Sequence, residues 1–167
     1  MLVSTLLLTG LALTAPCPLD PLVSDGTNSH WAGIEMHATV AEIEAKLGER
    51  LGVVPDDAMP GYLAELPAAW GSIVLHFEEH AGAERLTGMT MQGPDEAANE
   101  CWSRKALIAA VKERAPKARY QPSRHDPDVA EADNAYPIYL LSREPDVVVL
   151  LKPGYRTAYF GLLRALD

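Results

Sequence analysis

Cysteine is scarce in this 167-residue chain, with Cys17 and Cys101 the only two. That number excludes a disulfide-dense scaffold and a four-cysteine zinc site. Basic residues are outnumbered, 14 Lys and Arg against 23 Asp and Glu, for a formal charge of -9. A nucleic-acid-binding domain is expected to be basic, so nucleic acid is not an expected partner. No apolar stretch reaches the roughly 18–20 uninterrupted residues of a membrane helix. Glycine and proline, 12 and 13, follow no period and exclude a collagen-like chain. No cofactor motif is found and no cofactor is expected. What is present is 48% hydrophobic residues, enough at this length to bury one core without metal or extra staples.

The first nineteen residues, Met1 to Leu19, carry no charge, and Leu6 to Leu8 with Leu11 to Leu13 form a short apolar block that ends at Pro16 and Pro18. Although no Lys or Arg opens it, this block reads as a signal peptide over 1–15, with small residues for cleavage at Ala12, Thr14 and Ala15. The other reading is an apolar N-terminal strand or helix inside the fold. Export, to the periplasm or the medium, makes a Cys17–Cys101 disulfide the simplest use of the two thiols. Acylation of Cys17 as a lipoprotein, the one route to a membrane, and two free thiols stay open beside it.

Two segments then follow, 16–93 and 94–167, within one compact domain. In the first, Thr39 and Glu42 have capping-box spacing, and Val40, Ile43, Leu47 and Leu51 recur at helical intervals until Gly52 and Pro55. Residues 56–70 read as loop with a short turn of helix at 60–66. Ser72 to Phe77 and Leu86 to Met91 read as a hairpin about Gly82. In the second, Asn99 is a candidate cap for a helix carrying Trp102, Ala106, Leu107, Ala110 and Val111, which Pro116 must end. A polar stretch over 121–134 precedes three β runs, 136–141, 147–151 and 156–162, with Glu144-Pro145-Asp146 and Pro153-Gly154 as turns. Ile43 and Leu107, Leu47 and Val111, and Phe77 and Leu141 are each 64 positions apart. The expected fold is therefore α+β: two helix-plus-antiparallel-strand units, as in a tandem repeat, with the helices packed on antiparallel sheet.

The run Ile34-Glu35-Met36-His37-Ala38-Thr39-Val40-Ala41-Glu42-Ile43 with Leu47-Gly48, ahead of a hairpin, resembles the helix-opening element of BamE-like outer-membrane lipoproteins and of the tandem β-lactamase inhibitory proteins. Thr39, Ile43 and Leu47-Gly48 carry the likeness, and His37-Ala38 stand where that pattern has Gly-Met. The resemblance implies an exported, non-catalytic protein-binding module of the inhibitor, immunity or envelope-accessory type.

Chemistry has two candidates. His76-Phe77-Glu78-Glu79-His80 fits the H-x-x-E-H pattern of zinc peptidases, which needs both histidines on one helix face and would use His76, Glu79 and His80. The β-like residues before it favour a strand instead, and no metal is expected there. Cys101-Trp102 at a helix start resembles the nucleophile of papain-like cysteine peptidases, with His125 the only histidine downstream and a disulfide the competing use of Cys101. These two make a small hydrolase the alternative to a binding module.

Charge is the other signal. Residues 20–100 hold fifteen acidic and three basic residues, whereas Arg104, Lys105, Lys112, Arg114, Lys117, Arg119 and Arg124 make 104–124 basic. The plain reading is a solvated helix face. The functional one is that Arg104 to Arg119 contact a protein partner, an acidic one. Trp31, Trp70, Trp102, Tyr155 and Tyr159 are candidates for core or for interface anchors.

Overall fold

The computed structural model describes residues 11–58, 60–94, 100–121, 136–152 and 155–163. A short helix, α1 (Leu11–Thr14), precedes the hairpin β1 (Leu22–Ser24) and β2 (Ser29–Trp31). The segment around Asp25 is a tight turn: the Asp25 carboxylate accepts the N–H groups of Thr27 and Asn28, both at 2.8 Å, an Asx turn that closes the hairpin. Helix α2 (Val40–Leu47) opens on the expected capping box. The Thr39 N–H donates to Glu42 Oε2 at 2.7 Å and the Glu42 N–H donates to Thr39 Oγ1 at 3.4 Å. It stops at Gly48, whose left-handed φ of 72° lets its N–H return to the Glu44 carbonyl. The expected extension to Gly52 is absent, and Leu51 packs on the core from beyond the helix.

Strands β3 (Val54–Pro55), β4 (Tyr62–Ala68), β5 (Gly71–His80) and β6 (Ala83–Gln92) follow. Where loop or helix is expected over 60–66, β4 runs with Tyr62, Ala64 and Leu66 turned to the core and Leu63, Glu65 and Pro67 turned away. Proline is tolerated because β3 pairs only with Tyr62 and Leu63, so the sheet ends at β4 alongside Pro67, and an edge strand can do without one N–H. β5 and β6 turn at Ala81 and Gly82, both with positive φ, the geometry that matches the twist of paired strands. After a 3-10 turn at Glu100–Trp102, α3 (Arg104–Arg114) is capped by Ser103, whose Oγ accepts from the Ala106 N–H at 3.1 Å. Asn99, the expected cap, lies outside the described residues. Strands β7 (Arg119–Gln121), β8 (Ile138–Ser142), β9 (Val147–Lys152) and β10 (Thr157–Leu162) complete the chain, the last three matching the expected meander.

The eight strands β3 to β10 form one antiparallel sheet in the order β3-β4-β5-β6-β10-β9-β8-β7. This overturns the expectation of two α+β units. Strand accounts for 44% of the described residues and helix for 20%, and the β6–β10 pairing, five residue pairs from Thr157↔Gln92 to Gly161↔Gly88, merges both runs of strands into a single sheet. The 64-residue offset matches helix to helix, since Ile43, Leu47, Leu107 and Val111 are all buried. It fails in the sheet, where it sets Phe77, two strands from the outer edge, against Leu141, one strand from the opposite edge.

One face of the sheet carries the core. Ile73, Leu75 and Phe77 of β5, Met89 and Met91 of β6, Ala158 and Phe160 of β10 and Val149 and Leu151 of β9 pack with α2, α3 and the N-terminal hairpin. Trp31, Trp70 and Trp102 are buried at its centre in two edge-to-face contacts, with centroids 6.5 and 6.2 Å apart. The three tryptophans are core and not interface anchors. Trp31 Nε1 donates to the Pro18 carbonyl at 2.8 Å and Trp102 Nε1 to that of Trp70 at 3.4 Å. The disulfide joins Cys17 to Cys101, Cα atoms 5.5 Å apart, across 84 positions. It ties down the arm that delivers Leu19, Leu22 and Trp31 to the core. Leu13 packs on the same core, its carbonyl accepting from the Ala69 N–H at 2.7 Å.

Candidate functional site

The other sheet face is built from the alternate residues, and its pairing is read in three rows. The middle row crosses six strands as Glu65, Val74, Thr90, Tyr159, Leu150 and Ile138. On one side of it lie Pro67, Ser72, Gln92, Thr157 and Lys152, and on the other Leu63, His76, Gly88, Gly161, Val148 and Leu140. Bulk is unevenly placed. Large apolar residues stand toward β8 and β9, where Leu140, Val148 and Leu150 are buried outside the main core. Small residues, Ser72, Thr90, Thr157 and the two glycines, occupy the middle. The centre is therefore low.

Tyr159 finishes the floor. Gly88 and Gly161 are adjacent on neighbouring strands, and the Tyr159 ring lies over both, so that a methyl group on Gly88 would sit 2.6 Å from ring carbons. The phenol oxygen lies 3.3 Å from the Thr87 carbonyl and 3.4 Å from that of Leu162. Burial, and secondarily the Glu78 carboxylate, push the phenol well above the usual tyrosine range. It stays neutral at any physiological pH, a fixed cover for the glycine notch.

Above this floor opens a trough of about 930 Å³, walled by the β3–β4 connection at Asp56, Pro60 and Gly61 and by Glu78 and Glu79 of β5, with Lys152 on the opposite side. His76 is half-buried in it, Nε2 placed 2.8 Å from Thr90 Oγ1. Desolvation holds the His76 ring below the ordinary histidine value of about 6.5, with Asp56 opposing weakly. The folded state thus prefers the neutral ring. That stability is complete above the ordinary value and is lost as pH falls through the lowered one. Thermal melts from pH 7.5 to 5 are expected to fall more steeply for the wild type than for His76→Gln. Parallel slopes would show that this ring does not couple to folding.

The residues singled out for chemistry are not brought together. His76 and His80 lie on one strand four residues apart, which on an extended chain is about 13 Å, too far to share a metal at roughly 2 Å from each nitrogen. Glu79 pairs with Glu84 at the exposed end of the hairpin. No group of three or more His, Cys, Asp or Glu able to hold a metal occurs among the described residues. Cys101 is oxidised in the disulfide with Cys17, which leaves no thiolate for attack and no free Cys17 sulfur for a lipid. His125 and Arg124 lie outside the described residues.

The expected basic segment divides. Lys105, Lys112 and Arg114 project from α3, with Arg104 half-buried at its start, and Arg114 reaches Asp20 at 3.9 Å and Glu113 at 3.8 Å. Lys117 and Arg119 lie beyond the helix and line a second cavity with Arg143 of the β8–β9 connection. Arg143 was not legible as part of this group, because nothing in its neighbourhood of sequence places it beside β7. No helix among the described residues is long and apolar enough to cross a membrane.

No family model matches the chain, and neither a curated protein nor a solved structure matches it.

Proposed function

We propose that this is an exported, non-catalytic binding module that receives a projecting loop of a protein partner in the trough of its open sheet face. One observation carries the reading: the face away from the core has a low centre of small polar side chains between raised margins. An antiparallel sheet with one wet face ordinarily alternates apolar and charged side chains. Here the middle of the face is Ser72, Thr90 and Thr157 over a locked tyrosine, a surface fitted to accept backbone and side chains from outside. The disulfide is compatible with export. The wall of Asp56, Glu78 and Glu79 favours a loop that carries Lys or Arg.

Filling the trough tests this. Once a partner has been isolated from the exported fraction and purified, Thr157→Arg is expected to weaken its binding about 100-fold, or roughly 2.7 kcal/mol. Lys105→Glu on the outer surface of α3 is expected to leave it unchanged. Equal affinity for the wild type and Thr157→Arg, at matched thermal stability, would remove the trough from the interface.

A further inference from the structure

We propose that the cavity at the β7 end of the sheet, where Lys117, Arg119 and Arg143 converge, is a docking site for an acidic segment of a protein partner. The cavity measures about 340 Å³ and is bounded by the Asp25–Thr27 turn, the α3–β7 connection, β7, the end of β8 and the residue that follows it. Its cations come from two separate stretches of chain, Lys117 and Arg119 from the approach to β7 and Arg143 from the residue after β8. None of them makes an ion pair with a carboxylate within 4.0 Å among the described residues. The one acid at the rim, Asp25, is already engaged by the Thr27 and Asn28 N–H groups, which with help from Lys117 hold its carboxyl below the usual range. Three positive groups therefore face one committed negative one.

The chemistry of the lining selects the ligand. Two guanidinium groups offer planar forks that match carboxylates, and Leu140 and Leu141 supply an apolar back wall. The volume, at the low end for a ligand pocket, is ample for more than a single inorganic anion. An anionic bilayer is disfavoured by the net charge of -9, which repels such a surface beyond the reach of three local cations. Arg119 pairs with Leu140, so it extends the His76 row of the open face. Five to seven strand spacings, about 24–33 Å, separate it from the acidic wall of Glu78 and Glu79 on β5 and Asp56 after β3. The open face is thus negative at one end and positive at the other.

The test uses the full disulfide-bonded chain and a fluorescein-labelled hexaglutamate peptide, read by anisotropy at low and high salt. Arg119→Glu with Arg143→Glu is expected to weaken binding by about tenfold or more, and Arg119→Gln with Arg143→Gln to weaken it less. Lys105→Glu with Lys112→Glu on α3 is expected to have little effect, as is Thr157→Arg in the trough, so this site and the trough reading can fail separately. The glutamine pair keeps the test decisive should the glutamate pair not fold. Equal losses from the α3 pair would show diffuse attraction and overturn the proposal. Tight inorganic phosphate binding without peptide binding, or retention on anionic vesicles without it, would overturn it too, in favour of a free anion or a lipid surface. So would peptide binding indifferent to all four variants.

Discussion

Loss of the Cys17–Cys101 disulfide, in a Cys17→Ser, Cys101→Ser chain, is expected to lower the unfolding free energy by about 4–5 kcal/mol. The bond closes a loop of 84 positions, and chain entropy released to the unfolded state on opening a loop of that size is worth about 4.5 kcal/mol. Its location adds to the effect. Leu19, Leu22 and Trp31, all 1% exposed or less, sit on the arm that the bond tethers, so a detached arm would uncover the Trp70 side of the core. Denaturant unfolding of the oxidised wild type against the double-serine chain measures this. The slope with denaturant is expected to be the smaller for the wild type, because its cross-linked unfolded chain exposes less surface. A difference below about 1 kcal/mol would mean that packing alone holds the arm in place.

Trp70→Ala is expected to cost about 3–5 kcal/mol, the range for truncating a large buried aromatic. Trp70 stands between Trp31 and Trp102 in both edge-to-face contacts, and each such contact contributes about 0.5–1.5 kcal/mol beyond area burial. Its carbonyl also accepts from Trp102 Nε1. Its own indole N–H is buried without a partner among the described residues, and an unsatisfied buried donor costs about 1–3 kcal/mol. Trp70→Phe removes that donor while keeping an aromatic ring, so it is expected to lose far less than Trp70→Ala. Thermal and denaturant midpoints of the two variants decide the point. Equal losses would show that ring size governs the site and that the orphan N–H is of no consequence.

Much of the local structure was legible in the residues. Thr39 and Glu42 announce α2 because a capping box is a contact within one turn, and the β8–β9–β10 meander is marked by apolar β runs between turn residues. β4 was missed because Pro60, Pro67 and Gly61 look like loop when read alone. Pro67 belongs to a strand only because the sheet stops beside it, and where a sheet stops is not a local property. The core was legible in part, the helix positions from their spacing, while the choice between core and interface for the tryptophans needed the packing itself. The open face was the least accessible. Val74, Thr90, Tyr159 and Leu150 lie side by side through three strand pairings, and the Gly88 and Gly161 that make the notch are 73 positions apart in the chain. Registers between distant strands set the trough, and no spacing within a segment encodes them. The same holds for Arg143 beside Lys117 and Arg119.

The strand order also bears on how the chain is made. β10, the last of the described strands in chain order, sits in the middle of the sheet between β6 and β9. Until it arrives, the five residues from Gly88 to Gln92 on β6 present an open edge, with Met89 and Met91 on its apolar side, the kind of edge that recruits other chains. Assembly from the N-terminus during synthesis would hold that edge open throughout. A sheet whose central strand follows its neighbours in the chain is better served by staying open until that strand is available to close it.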